Sequence, residues 1–201
     1  LDFPLTTRGV DFGAGPGLFA RLMRSSGYDY YAQDAFSAPI FANYFAVERV
    51  RDAQPAVITA FEVLEHLPNP REMLDELLGE GAALIPFTTW PLDGQDENWI
   101  YYLPDCGQHV FFYSNKALAE TGARYGYEMR VCQYFQLFFH PQRLTSAQCA
   151  SIEHFCVNSI ALVEARIADN MKSIIMGNSF IDADFDLAKV TFVRKLSESG
   201  D

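Results

Sequence analysis

The feature that most constrains the fold is the run V-D-F-G-A-G-P-G at residues 10–17, which lies between a predicted strand at 8–12 and a predicted helix. Its three glycines let the backbone adopt positive φ and approach a ligand without a Cβ in the way. The helix that follows begins with free backbone N–H groups, which bind polar or anionic groups of a ligand. This order of strand, glycine turn and helix is typical of the first unit of a nucleotide-binding α/β domain.

A carboxylate follows the second predicted strand. Asp34 ends the strand at residues 28–33, about twenty residues beyond the glycines, where an acid accepts hydrogen bonds from ribose hydroxyls. The spacing G-x-G-x-G, rather than G-x-G-x-x-G, favours a single nucleoside with a zwitterionic tail over a dinucleotide. Two alternatives stay open: the glycines make only a tight turn, and Asp34 only caps a following helix.

The rest of the chain alternates between strand and helix patterns. Apolar or alternating runs predict strands at 55–63, 81–89, 128–140 and 186–196, and apolar spacing predicts helices at 39–44, 69–78, 114–126 and 146–176. The second of these helices begins with an N-cap at Asn69, a proline at Pro70 and a capping-box acid at Glu72. We expect a single domain over 1–201, with a mostly parallel sheet, helices on both faces, an antiparallel edge pair, and a helical insertion at 145–184 before the last strand.

Composition restricts the partners. A net charge of −11 and the lack of a basic cluster argue against nucleic acid and favour a small or uncharged substrate. Charges on the 146–176 helix exclude a membrane span, so it packs on the domain or on a second subunit, which makes a homodimer possible. Four cysteines without metal-ligand spacing are interpreted as buried thiols of a cytoplasmic protein. The first residues resemble neither a signal peptide nor a membrane anchor, and we expect a further segment upstream of them.

Three motifs together carry a family resemblance. The turn D-F-G-A-G-P-G, Asp34, and F-E-V-L-E-H-L at 61–67 resemble class I S-adenosylmethionine-dependent methyltransferases of the ubiquinone/menaquinone-biosynthesis type, over about residues 8–130. The loop at 99–114 is similar to a segment of bacterial members. The resemblance implies a Rossmann-like, seven-stranded sheet, S-adenosylmethionine as cofactor, and methyl transfer to a hydroxyl or amine of a small metabolite, with a sugar or a polyketide-like hydroxyl ranked first.

The resemblance also implies a set of cofactor-binding residues. The glycines would line the methionine part, Asp34 the ribose, Ala35 and Phe36 the adenine, while Phe61 and Glu62 would face the sulfonium. The full set is Asp11, Gly13, Ala14, Gly15, Gly17, Asp34, Ala35, Phe36, Phe61 and Glu62. The acid that usually follows the third strand has no clear match, because residues 45–52 form a short and irregular segment.

The acceptor side contains two candidate bases. His66 and His109 are predicted to be catalytic, since neutral imidazole can take a proton from a hydroxyl near pH 7. The substrate-binding residues predicted around them are Glu65, Trp99, Tyr101, Tyr102 and Gln108. The alternative is that both histidines only bind loop backbone and that the aromatic residues of the 90–113 loop only close the core.

Other functions remain possible from the sequence. The pattern E-x-x-E-H is similar to one in metal-dependent O-methyltransferases, some of which act on small RNAs; it would make Glu62, Glu65, His66 and His109 ligands of a divalent ion. We expect no metal, and the metal-assisted RNA 2′-O-methyltransferase is the alternative. A non-catalytic nucleotide-binding module and a nucleotide-dependent oxidoreductase are the other two.

Overall fold

The computed structural model describes residues 7–158, which form a six-stranded sheet with helices on both faces. The strands are β1 Arg8–Phe12, β2 Asp29–Gln33, β3 Val57–Phe61, β4 Leu84–Thr88, β5 Glu128–Val131 and β6 Gln136–Phe139. The helices are α1 Leu18–Ser25, α2 Pro70–Gly79, α3 Asn115–Arg124 and α4, which is described over 146–158. Short 3-10 turns lie at Val50–Ala53, Leu64–His66, Ile100–Tyr102 and Pro141–Arg143.

The strand order is β2-β1-β3-β4-β6-β5. The first four strands are parallel to one another, while β6 is antiparallel to both β4 and β5. Because the carboxyl ends of parallel strands share one edge of a sheet, the loops that follow β1 to β4 meet there. This confirms the Rossmann-like, mostly parallel sheet with an antiparallel edge pair.

Several local expectations are corrected. The segment 128–140 is not one strand but the hairpin β5–β6, turned where the Cys132 amide donates to Phe135 O over 2.9 Å. The antiparallel pair is therefore complete before the predicted insertion begins. Residues 39–44 form turns instead of a helix. Helix α2 begins at Pro70, but the Asn69 side chain makes no capping hydrogen bond. The predicted cap of α3 is confirmed, since Ser114 Oγ accepts from Ala117 N at 3.1 Å.

One face of the sheet packs on α2 and α3. Val10, Ile58 and Ile85 point into this layer and are fully buried. Leu77 of α2 and Leu118 of α3 close it from the helix side. Each fully buried side chain of this size contributes roughly 1.5–3 kcal/mol. This layer anchors the strands whose ends carry the site.

The opposite face is covered by α1 and α4. Tyr30 packs with Ala20 of α1, whereas Leu84 and Phe139 pack with Ile152 of α4. The predicted amphipathic character of the last helix is thus confirmed for its described part, where Ile152 is fully buried against the sheet.

At the β2 edge of the sheet, the described residues add one isolated bridge. Ala32 pairs in parallel with Ala46 alone, through hydrogen bonds of 2.9 Å to Phe45 O and from Val47 N. Beside this bridge the guanidinium of Arg24 donates to Tyr30 O at 3.1 Å and lies 4.8 Å from the centre of the Phe45 ring. Among the described residues six strands are present, so the seven-stranded expectation is not confirmed.

Two compact units divide the chain, Leu1–Val157 and Asn158–Asp201. The predicted strand at 186–196, the insertion beyond 158 and most of the helix proposed for a dimer contact lie outside the described residues. Over 7–158, no helix has the length and apolar character needed to cross a membrane.

Candidate active site

The glycine turn after β1 uses its three glycines in two different ways. Gly13, Gly15 and Gly17 have φ of 68°, 54° and 84°, a region that disfavours residues with a Cβ. A Cβ at Gly13 would lie 2.6 Å from Val63, and one at Gly17 would lie 2.4 Å from Ala42. A Cβ at Gly15 would meet nothing within 4 Å. Packing therefore requires two of the glycines, while the third faces open space where a ligand can approach.

Asp34 ties this turn to the segment after β2. Its Oδ2 accepts from Gly15 N at 2.8 Å, and its Oδ1 accepts from Phe36 N at 2.8 Å and Ser37 N at 2.7 Å. A carboxylate offers about four acceptor positions, so one remains for a ligand hydroxyl. The residues that it caps form a bend and not a helix, which corrects the alternative interpretation of Asp34 as a helix cap.

Asp11 is buried beneath the sheet surface. Its Oδ1 accepts from Thr59 Oγ1 at 2.7 Å, and Thr59 Oγ1 in turn accepts from Tyr30 Oη at 3.2 Å. Burial raises the pKa of Asp11 to about 6, the Thr59 hydrogen bond opposes the rise, and the charge of Asp34 adds to it. The carboxylate is thus bonded to Thr59 of β3 and linked through it to Tyr30 of β2, and this buried network supports β1 below the glycine turn.

The remaining cofactor candidates surround the turn. Ala14 N donates to Gln33 O at 3.0 Å, which fixes the turn against the end of β2. Ala35 is exposed, and Phe36 is 98% exposed, so its ring face is available for stacking. Phe61 packs edge-on against Phe19, with ring centres 5.1 Å apart. The structure brings these predicted residues to the carboxyl edge of β1 to β3.

Glu62 has the backbone conformation of a glycine. Its φ of 52° is left-handed, which costs a residue with a side chain on the order of 1 kcal/mol. Its amide donates to Thr88 Oγ1 at 2.8 Å, and its Oε2 accepts from Tyr101 Oη at 3.0 Å. These bonds compensate the strain and hold the carboxylate at the ends of β3 and β4.

Glu65 is fully buried, and within the described residues neither of its carboxylate oxygens has a hydrogen-bond donor. A carboxylate in such a place is unstable unless a donor or a positive charge compensates it. Burial is the largest cause that raises the pKa of both Tyr101 and Tyr113 well above the usual range, and the negative charge of the neighbouring Glu65 adds to the rise. Both phenols therefore stay protonated; Tyr101 donates to Glu62, and Tyr113 donates to Leu64 O at 3.0 Å.

The two candidate histidines lie together beside this carboxylate. Nδ1 of His66 is 2.9 Å from Gln108 O, and Nδ1 of His109 is 2.6 Å from Tyr101 O. Because a carbonyl oxygen only accepts, each Nδ1 carries the hydrogen, and in the neutral ring Nε2 keeps its lone pair. Potential ligand atoms of Glu65, His66 and His109 all lie within 4.8 Å of one another. The backbone contacts expected as an alternative exist, and they hold both rings beside Glu65.

The aromatic loop has a buried core and an exposed face. Trp99 and Tyr101 are buried, whereas Tyr102 is half-buried and Gln108 exposed. Trp90 is 50% exposed and stacks on Tyr101 with ring centres 5.0 Å apart and an angle of 8°. Trp99 thus supports the loop, and Trp90 presents the flat face that a planar acceptor could contact.

A cavity of about 420 Å³ lies next to this face. It is lined by Glu62, Thr89, Trp90 and the hairpin turn 132–135, among others. Thr89 O accepts from Gln136 Nε2 at 2.8 Å, while Thr89 Oγ1 is buried without a partner in the described part of the chain. Sequence reasoning missed Thr89, Trp90 and the hairpin turn. The position of Thr89 and Trp90 directly after β4 was the signal that could have found these two residues.

The family of the chain follows from comparison with known proteins. A family model described as a methyltransferase domain matches residues 2–131. No curated protein sequence is significantly similar to this chain. Two solved structures with the same fold are the magnesium protoporphyrin IX methyltransferase of Synechocystis PCC 6803 with bound SAH and human N-acetylserotonin methyltransferase in complex with SAM.

The likeness to both structures is one of fold. The first has a TM-score of 0.50 at 13% identity, covering 67% of this chain and 74% of its own. The second has a TM-score of 0.53 at 15% identity, covering 69% of this chain and 49% of its own, so this chain spans about half of that protein. With the family model covering most of its described residues, the chain belongs to the methyltransferase-domain family of class I S-adenosylmethionine-dependent methyltransferases.

Proposed function

We propose that this chain transfers a methyl group from S-adenosylmethionine to a hydroxyl of a small metabolite. The observation that carries the proposal is the meeting, at one edge of the sheet, of an open glycine turn with two oriented imidazoles. Gly15 faces open space next to Asp34, and one ring nitrogen each of His66 and His109 lies within 4.8 Å of the other and of a Glu65 carboxylate oxygen. A cradle for a nucleoside and a proton acceptor are the two parts that O-methylation needs from a protein.

The cradle fits the cofactor on its own geometry. Gly15 leaves the space that the methionine part would fill, and the remaining acceptor position of Asp34 suits a ribose hydroxyl. The exposed ring of Phe36 offers a face to adenine. When bound, S-adenosylmethionine supplies a methyl group on a sulfonium, which is a good leaving group. The chain's task is then to orient the acceptor and to remove its proton.

His109 is the base in this proposal. Its Nδ1–H donates to Tyr101 O, so its Nε2 lone pair is the atom that accepts the proton of the acceptor hydroxyl. Its ring centre lies 4.3 Å from that of Tyr101, which in turn supports Trp90. A planar acceptor stacked on Trp90 would occupy the cavity beside Glu62. The net charge of −11 favours such a small acceptor over RNA.

A second candidate adds a divalent ion to the same reaction. The observation that favours it is Glu65, a buried carboxylate without a donor that lies 3.8 Å from Nε2 of His66. Two imidazoles with Nδ1–H fixed by backbone carbonyls, plus one carboxylate, form a common ligand set for Zn²⁺ and similar ions. An ion there would compensate the buried charge and acidify an acceptor hydroxyl.

Binding and labelled methyl transfer test the first proposal. We expect calorimetric binding of S-adenosylhomocysteine but not of NAD, and transfer of labelled methyl from S-adenosylmethionine to a component of a metabolite extract. His109→Gln should lower kcat about 10²–10⁴-fold with cofactor affinity unchanged, whereas His154→Gln, an exposed residue of α4, should leave both unchanged. Binding of NAD alone would indicate an oxidoreductase, and cofactor binding without any transfer would indicate a non-catalytic module.

Metal binding is tested separately from activity. The protein is treated with EDTA, dialysed and titrated with Zn²⁺ or Mn²⁺ by calorimetry, followed by measurement of bound metal. One ion per chain, lost in Glu65→Gln but retained in Glu62→Gln, supports the ion at Glu65, His66 and His109. Full methyl transfer by metal-free protein, together with no titration heat, rejects the ion and leaves the first proposal intact.

A further inference from the structure

Two cysteines outside the proposed reaction lie in contact. Cys132 is buried and begins the turn of the β5–β6 hairpin, and Cys156 lies on α4. Their Sγ atoms are 2.7 Å apart, closer than two sulfur atoms in van der Waals contact, and both residues carry thiols. They are separated by 24 positions in the sequence, so a bond between them would close a loop over the hairpin and the start of α4.

Other contacts fix the two sulfurs in this position. The Nε of Arg130 on β5 donates to both carboxylate oxygens of Glu153 on α4, at 2.8 and 3.0 Å. The rings of Phe135 and Phe155 lie 6.0 Å apart at the same interface. A disulfide needs a narrow range of backbone separations. The ion pair and the ring contact lie at the same interface as the sulfurs and hold the hairpin against the helix.

We propose that Cys132 and Cys156 form a reversible disulfide bond when a low-molecular-weight disulfide of the glutathione type is present. The Cys156 thiolate attacks one sulfur of that disulfide, forms a mixed disulfide and releases one thiol. The Cys132 thiolate then attacks Cys156 Sγ and releases the second thiol. Two cysteine thiols are oxidised, one small disulfide is reduced to two thiols, and the two protons pass to the leaving thiolates.

The order of attack follows from the surroundings of the two residues. Burial, with the neighbouring Cys156 as a further cause, raises the pKa of Cys132 to about 12. Cys132 is 5% exposed, while Cys156 is half-buried and more accessible. The small oxidant therefore reaches Cys156 first, and Cys132 closes the bond from inside.

The disulfide would restrict one wall of the cavity beside Trp90. Cys132 and its turn form one wall of the cavity that Glu62 and Trp90 line from the other side. A covalent bond from this wall to α4 restricts the opening of the turn. Oxidation thus stiffens one side of the cavity, whatever molecule the cavity holds.

The test combines thiol counting with peptide mapping. The protein is incubated with glutathione disulfide or with dithiothreitol, denatured and titrated for thiols; we expect two of its four thiols to be lost on oxidation. Mapping uses Cys149→Ser, because trypsin leaves Cys149 and Cys156 on the same peptide, 144–166. In this variant the non-reduced digest should contain peptide 131–143 joined to 144–166. Cys106→Ser should behave like the wild type.

Thermal stability and amide hydrogen exchange provide two further measurements. A disulfide that closes a loop of this size should raise Tm by about 5–10 °C in the oxidised protein. The backbone amides of 133–136 should also exchange their hydrogens with solvent more slowly. Cys132→Ser should lose both effects and the joined peptide. Retention of all four thiols, glutathione attached to Cys156 without the cross-link, or cross-links between molecules would each overturn the proposal.

Discussion

Glu65 and His66 are adjacent in one short turn, yet the Glu65 side chain is completely buried and the His66 side chain is 37% exposed, with Oε1 and Nε2 3.8 Å apart. The turn Leu64–His66 thus directs a negative charge inward and an imidazole toward the solvent. A charge placed so deeply without a donor reduces stability, and proteins keep such a group where it binds something. The same carboxylate is also the simplest one to test.

Replacing this charge by an amide should stabilise the metal-free protein. Glu65→Gln keeps the shape of the side chain and removes an uncompensated buried charge, so we expect the free energy of unfolding at pH 7 to rise by about 1 kcal/mol. Urea denaturation measures it. Glu62→Gln is the matched control and should be neutral or slightly destabilising, because Glu62 already has Tyr101 as a donor. A loss of stability in Glu65→Gln larger than in Glu62→Gln would contradict the prediction.

The glycine turn offers a matched pair of variants. Gly17→Ala places a Cβ 2.4 Å from Ala42, in addition to the strain of positive φ, so we expect a loss of about 2–4 kcal/mol in unfolding free energy. Gly15→Ala meets open space and should lose only about 1 kcal/mol.

Cofactor binding should rank the same two variants differently. The Gly15→Ala methyl group occupies the space assigned to the cofactor, so we expect at least a tenfold loss of S-adenosylhomocysteine affinity in folded protein, measured by calorimetry. Unchanged affinity in Gly15→Ala would mean that the ligand does not approach the turn at this residue.

The buried acid of β1 should make stability depend on pH. Between its ordinary pKa of 3.8 and its raised pKa of about 6, Asp11 holds a proton in the folded protein that the unfolded chain has released. The free energy of unfolding therefore falls as pH rises through this window, by about 3 kcal/mol in total. Asp11→Asn cannot release a proton and should remove this slope, so that it exceeds the wild type in stability at pH 7 but not at pH 4. Urea denaturation at both values measures it, with Asp105→Asn, at an exposed position, as a control that should keep the slope.

The exposed indole after β4 should affect acceptor binding more than stability. Trp90 is 50% exposed, so Trp90→Ala should cost less than about 1.5 kcal/mol in unfolding free energy. It removes the stacking face of the cavity, and we expect KM for the acceptor found by labelled transfer to rise about tenfold while kcat changes less. Trp90→Phe keeps a ring and should recover most of the affinity. Equal kinetics in all three proteins would remove Trp90 from the acceptor site.

The parts of the fold that the sequence predicted are those with local causes. Positive φ at Gly13 and Gly17, the β-branched and apolar run of β3, and the Ser114 cap are each dictated by residues close in sequence. Asp34 could be predicted for the same reason, because an acid at a fixed distance after the glycine turn belongs to the same sequence pattern. These elements position the residues that we propose bind the cofactor.

The proposed acceptor side depends on contacts between segments far apart in sequence. Nothing near Thr89 or Trp90 signals that the hairpin turn 132–135 would face them. Residues 128–140 form two strands because β6 pairs with β4 on one side and with β5 on the other. The apolar residues Leu137 and Phe138 of β6 fit this central position in the sheet. The burial of Trp99 likewise depends on Tyr102 and Phe112, which pack around it, and the sequence around Trp99 does not signal this burial.

Arg24 covers part of the outer edge of β2, a structural role that is separate from the proposed reaction. A parallel sheet with a bare outer strand is a template on which a foreign strand can add, and this is one route to aggregation. By occupying the Tyr30 carbonyl and lying across the Phe45 ring, the guanidinium puts a charge where an incoming backbone would have to dock. A strand from another molecule would therefore have to displace Arg24 before it could pair with β2 at this position.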